Sequence, residues 1–189
     1  MRASKRDELV EKALISFYNN GFHATGMDMI VIESGISKTS IYNHFRTKED
    51  LILAVLRLRD EKFRNWLFRR MEELADTAKG QLLAVFDALD EWFQKDDFKG
   101  CLFIKASSEY QRPDHPIHKQ AAEHKRLLHL HFEALAARTG LQAPDQVARQ
   151  ILLLKEGAIV TAQLQGSENA AGDAKAAAKY ILERLEEGR

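Results

Sequence analysis

The chain has 189 residues, 45% hydrophobic and 30% charged, which fits a soluble globular protein of one or two domains. Its 28 Lys+Arg balance 28 Asp+Glu, which excludes a wholesale cationic nucleic-acid coat but leaves room for a local basic patch. The lone cysteine, Cys101, excludes an internal disulfide and suits a reducing, cytoplasmic setting. No apolar run reaches the roughly 18 residues of a membrane span, and the N-terminal MRASKRDELVEK lacks the apolar core of a signal peptide.

Glycines separate long stretches of helical periodicity, and no hairpin turn joins alternating runs. The expected fold is therefore all-α, with about nine helices: an N-terminal three-helix helix-turn-helix head and a C-terminal helical body. The first helix spans 5–20. Ser4 and Asp7 have capping-box spacing, Leu9, Val10, Ala13, Leu14 and Phe17 form a core stripe, and Phe22 is expected to tuck beneath the head.

The stretch from Thr25 to Lys48 packs three helix starts together. Thr25 with Asp28, and Thr47 with Asp50, both have capping-box spacing. Between them Gly35 suits the left-handed end of one helix and Ser37 the N-cap of the next, which runs from Lys38 to Phe45. Two short helices joined by a glycine-containing turn make a helix-turn-helix, whose second helix enters the DNA major groove. Ile41 and Phe45 face inward on that helix. Lys38, Thr39, Ser40, Tyr42, Asn43 and His44 are left outside, and Arg46 and Lys48 follow with no acid between Gly35 and Lys48. A polar, hydrogen-bonding, weakly basic face suits groove and phosphate contact. The same composition also suits a solvated surface helix in a bundle.

The fourth helix begins after Thr47 and runs to about 75, long enough to leave the head. Further helices are expected over 79–94, 100–111, 116–138, 144–165 and 172–187. The aromatics Trp66, Phe86, Trp92, Phe93, Phe103, Tyr110 and Phe132 mark the region of a ligand pocket or of a filled core. Ile151, Leu154, Ala158 and Ala162 on the eighth helix, with Ala174, Ala178, Ile181 and Leu185 on the ninth, form stripes. They suit either a dimer interface or the chain's own core.

Five histidines are assigned to the seventh helix: His115, His118, His124, His129 and His131. No two are four apart. His124 and His131 share a face but stand roughly 10 Å apart along the axis, too far for one zinc at bonds of about 2 Å. His129 with Glu133, and Asp114 with His118, are four apart, and a site there needs a ligand from another helix. No metal and no cofactor is therefore expected. Cys101, between Lys99 and Lys105, reads as a buried small residue or as a thiol made reactive by nearby cations.

The first 55 or so residues resemble the TetR family of bacterial transcription regulators. The match is carried by Arg6, Ala13, Phe17, Gly21-Phe22, Thr25, Ile30, Gly35-Ile36-Ser37-Lys38, Ile41-Tyr42, His44-Phe45, Lys48-Glu49 and Leu51. The remainder matches only in length, helix count and the Gly100–Phe103 segment. The resemblance implies a DNA-binding domain over 1–48 and a ligand-binding and dimerisation domain over 49–189. It also implies a homodimer, a double-stranded DNA operator, a small-molecule effector and no membrane. Carried over by position, the DNA contacts are Thr25, Lys38, Thr39, Ser40, Tyr42, Asn43, His44 and Lys48. Relatives often have glycine where Thr39 stands and alanine where Val31 stands, which blurs which bases are read. The expected function is a ligand-responsive regulator, a repressor acting on a palindromic operator. The rival is an all-helical enzyme or carrier with a hydrophobic pocket. No nucleophile–base pair, carboxylate dyad or phosphate-cradling loop stands at motif spacing, so no enzyme activity is expected.

Overall fold

A computed structural model describes residues 4–187; residues 1–3 of the N-terminal segment, and residues 188–189, lie outside them. Among the described residues there are nine α-helices and no strand. They are α1 (Lys5–Asn20), α2 (Met27–Ser34), α3 (Lys38–His44), α4 (Lys48–Leu74), α5 (Ala78–Phe93), α6 (Leu102–Glu109), α7 (Pro116–Arg138), α8 (Pro144–Gln165) and α9 (Ala170–Glu187). The all-α expectation holds, and α7 and α8 coincide with the expected spans. His115 precedes α7 rather than belonging to it. The expected sixth helix loses its start because Gly100 has φ +79, a conformation a right-handed helix does not continue. A Cβ at Gly100 would also fall 1.8 Å from Gln163 Oε1. No described helix is long and apolar enough to cross a membrane.

The chain divides into two compact units, Met1–Phe63 with Leu102–His124, and Arg64–Cys101 with Lys125–Arg189. Residues 1–48 lie wholly in the first unit, which also takes in 49–63 and 102–124.

The first unit is built around one apolar core. Leu9, Val10, Ala13, Phe17, Phe22, Ile30, Ile41, Phe45, Leu51 and Val55 are all buried. Phe22 does tuck under α1, its ring 5.3 Å from that of Phe17. Burying each of these side chains other than Ala13 contributes about 1.5–3 kcal/mol relative to exposure. Polar ties then fix the helices against one another. Lys12 Nζ donates to the Ser34 carbonyl at 2.6 Å, the Ser16 hydroxyl donates to Glu33, and the Arg6 guanidinium lies over the Phe45 ring. Deeper in this unit, His124 is buried against Asp60 (Nδ1 to Oδ1, 2.7 Å) and stacks on Phe103, with ring centroids 3.7 Å apart.

The second unit packs α5, α8 and α9 on one another. Its inward residues include Leu82, Val85, Phe86, Leu89, Val147, Ile151, Ile159, Ala178 and Leu182. A charged cluster sits within it. Glu156 accepts from the fully buried Lys155 at 2.8 Å and from Lys125 at 2.5 Å, and Lys125 Nζ also lies 3.5 Å from Cys101 Sγ. Burial works to raise the Glu156 carboxyl, but the charges of Lys155 and Lys125 outweigh it and hold the group down to about 2.

Candidate nucleic-acid interface

The turn between α2 and α3 follows from three residues. Gly35 adopts φ +67 and its N–H closes α2 on the Val31 carbonyl at 3.0 Å. The Ile36 N–H is taken by the Ser34 hydroxyl at 3.1 Å. Ser37 caps α3, accepting the Ser40 N–H at 3.3 Å. Ile41 and Phe45 are buried, so the register of α3 is fixed and its remaining side chains point away from the core.

Lys38, Thr39, Tyr42, Asn43 and His44 are exposed, and Ser40 is half-buried. This is the polar outer face read from the sequence. Lys38 does not hang free: its Nζ donates to Asp28 Oδ1 at 2.8 Å, and that hydrogen bond and the carboxylate's charge raise its pKa. Lys48, half-buried at the start of α4, donates to the His23 carbonyl at 3.3 Å. The expected capping box at Thr47 is complete. The Asp50 N–H donates to Thr47 Oγ1 and the Thr47 N–H to Asp50 Oδ2, both at 3.1 Å. At the head of α1, Ser4 caps by accepting the Asp7 N–H at 3.1 Å.

Thr25 is a correction on both counts. It is fully buried and its hydroxyl donates to the Gly21 carbonyl at 2.6 Å. Gly26, not Thr25, is the N-cap of α2, and no side chain caps that helix. The hydroxyl therefore reaches back to the preceding turn, which makes Thr25 a residue that shapes the α1–α2 connection, with its side chain buried rather than offered as a surface contact.

Sequence reading missed the residues that hold this head from α6. Glu109 accepts the Phe22 N–H at 2.9 Å and the His23 N–H at 2.5 Å. Lys105 donates to the Tyr18 carbonyl at 3.0 Å, and the Tyr110 ring packs on Phe22 and His23. Burial, with Glu49 and Glu109, pushes the Tyr110 hydroxyl up to about 12. The partners stand 86 or 87 residues apart in the chain, so no local pattern announces them.

The expected pocket residues fall in both units. Phe103 and Tyr110 belong to the first unit and the other five to the second. Phe86 and Phe132 are fully buried, while Trp92 and Phe93 pack with Phe98 in an aromatic cluster. Lys95 lies over Trp66. The expected dimer residues differ in burial. Ile151, Ala158, Ala162, Ala174 and Ala178 are buried in the second unit, and Leu154, Ile181 and Leu185 are half-buried. The face of α8 opposite Ile151 instead exposes Leu153 (73%), Val160 (37%) and Leu164 (74%) around Gly157, and α9 exposes Tyr180 (65%).

Comparison with known proteins agrees with this geometry. Residues 9–55 match the family described as bacterial regulatory proteins, tetR family. The chain is 27% identical over 155 residues to the HTH-type transcriptional regulator YjdC of Escherichia coli, covering 82% of this chain and 81% of that protein. It is 37% identical over 95 residues to the HTH-type transcriptional repressor KstR2 of Mycolicibacterium smegmatis, covering 47% and 44%. The crystal structure of SCO4454, a TetR-family transcriptional regulator from Streptomyces coelicolor, superposes with a TM-score of 0.87 at 27% identity, over 95% of each chain. With a capped helix-turn-helix and a solvent-facing polar helix inside the matched residues, and a fold shared with a TetR-family regulator over 95% of its length, the chain belongs to the TetR family of bacterial DNA-binding transcription regulators.

Proposed function

We propose that the protein is a cytoplasmic, ligand-responsive repressor that binds a palindromic operator as a homodimer, with α3 of each subunit in the major groove. The observation that carries this reading is the exposed row Lys38, Thr39, Tyr42, Asn43 and His44 on a helix whose other face is buried and whose start is capped. Tyr42, His44 and Lys48 suit phosphates. Lys38 and Asn43 have the length and donors to read base edges, and Ser40 and Thr39 add shorter contacts. The repressor sign is supported by the 37% identity over 95 residues with the transcriptional repressor KstR2.

Two copies are needed to span two half-sites about 34–36 Å apart, or a multiple of that. Since Ile151, Ala158, Ala162, Ala174 and Ala178 of the predicted stripe are buried in the chain's own core, we assign the two-fold face to the exposed Leu153, Gly157, Val160 and Leu164 of α8, with exposed Tyr180 of α9. These α8 residues recur at four, three and four, so they share one sector of the helix. Gly157 between them lets a partner helix approach closely. Exposed leucines in such a row favour a self-complementary contact.

The functional division we infer is a DNA-binding head over 1–48 and an effector-binding and dimerising body over 49–189. The effector must favour one of two head positions to change DNA affinity. The handles on the head are the covalent run of α4 from Lys48 and the grip of Lys105, Glu109 and Tyr110 on the α1–α2 connection. A shift of α6 pulls directly on the Phe22 and His23 backbone. A gel-shift with the DNA flanking its own gene tests the reading. It is supported by a specific complex that weakens as salt rises, and sunk if no duplex is retarded at any salt.

A further inference from the structure

We propose that His129, Glu133 and Asp145 form a binding site for a divalent transition-metal ion that joins α7 to the first turn of α8. His129 and Glu133 stand four apart on α7 and so share one face of that helix. Asp145 brings the third donor from α8, the ligand from another helix that the α7 spacing by itself lacks. His129 Nε2 lies 2.9 Å from Asp145 Oδ1 and 3.9 Å from Glu133 Oε2, and one donor atom from each of the three falls within 4.8 Å of the others. Ligands around one ion at bonds of about 2.0–2.2 Å sit roughly 3–3.6 Å apart, so small side-chain rotations complete the set.

The chemistry of the donors narrows the ion. One imidazole nitrogen and two carboxylate oxygens suit zinc and its first-row neighbours; magnesium and calcium prefer oxygen alone. Three protein ligands leave a fourth position for water. The side chains are 20%, 38% and 49% exposed, so an ion can enter without unfolding.

A rival for the same carboxylate gives the test its sign. Arg149, one turn after Asp145, pairs with Asp145 Oδ2, and its own side chain is 61% exposed. A metal on Asp145 competes with that guanidinium, which is free to turn out to solvent. Removing Arg149 therefore strengthens a metal site.

Calorimetric titration of the chelator-stripped full chain with zinc chloride tests the proposal, with cobalt(II) as the spectroscopic probe. The expected result is one ion per chain. His129→Ala and Glu133→Gln each weaken binding by more than about 100-fold, above the loss expected from an outer-shell change. Arg149→Ala tightens it by up to about fivefold, and His118→Ala leaves it unchanged. Circular dichroism confirms that each variant is folded, and Glu133→Gln preserves the shape of a partly exposed side chain if His129→Ala does not fold. Cobalt should show ligand-field bands without a thiolate charge-transfer band. Zinc binding that is absent, that survives both ligand variants, that weakens in Arg149→Ala, or that brings a thiolate band implicating Cys101 overturns the proposal.

Discussion

The head and the α8–α9 region use helices of similar quality but signal them differently. In the head, single residues have fixed jobs: Gly35 closes α2, Ser37 opens α3, and Thr47 with Asp50 opens α4. In the α8–α9 region no residue punctuates a face, and two apolar stripes run along opposite sides of α8. Periodicity shows that such stripes exist but not which one the chain covers. Fully buried Lys155 lies on the inward side, while Leu153 and Leu164 face outward. That inverts the ordinary pattern of charges outside and leucines inside. Glu156 pairs with that lysine at 2.8 Å and offsets part of the cost of its burial, although burial still lowers the Lys155 pKa.

Breaking that inversion should have the largest effect. Glu156→Gln leaves Lys155 and Lys125 without this carboxylate, and is expected to lower stability by about 3–5 kcal/mol in urea denaturation. The Glu156 carboxyl is depressed in the folded chain. Its stabilisation is therefore complete above about pH 4.5 and is lost as pH falls towards about 2. The glutamine variant should show a smaller acid-side decline.

The two stripes of α8 can be separated next. Ile151→Ala removes a fully buried side chain and should cost about 2–5 kcal/mol while leaving a dimer in sedimentation. Leu153→Asp with Leu164→Asp should keep the helical spectrum, yield single chains, and weaken operator binding by about 100-fold or more, because the second head no longer binds as part of the same particle. If the leucine pair unfolds the protein and the isoleucine change dissociates it, the faces are assigned the wrong way round.

Within the head, Asn43→Ala should lose about 1–3 kcal/mol of discrimination between operator and altered operator. Tyr42→Phe and Lys48→Ala should weaken binding to all sequences alike, as read by anisotropy on matched and scrambled duplexes. The smallest effect is expected from Ser37→Ala, about 0.5–2 kcal/mol in thermal unfolding from the lost cap.

The sequence carried most of the fold and the outer face of α3, because caps and identities at short range set both. Helices α7 and α8 start at prolines and end near glycines, and their spans were legible for that reason. What escaped has a common physical cause. The spacing of Thr25 and Asp28 fits a forward cap equally well as a hydroxyl folded back to Gly21, and only the conformation decides. Glu109, Lys105 and Asp145 act on residues far away in the chain or on a neighbouring helix, and tertiary packing alone brings them there.

The most direct test of the central claim is to count chains on DNA. Analytical ultracentrifugation of the protein with a labelled palindromic fragment from beside its own gene should give two chains per fragment at moderate salt. That complex should be lost in a variant carrying Tyr42→Phe, Asn43→Ala and Lys48→Ala, with the protein still a dimer. A complex that persists unchanged in this variant, or no complex with any fragment, would contradict the assignment of α3 as the DNA-reading helix.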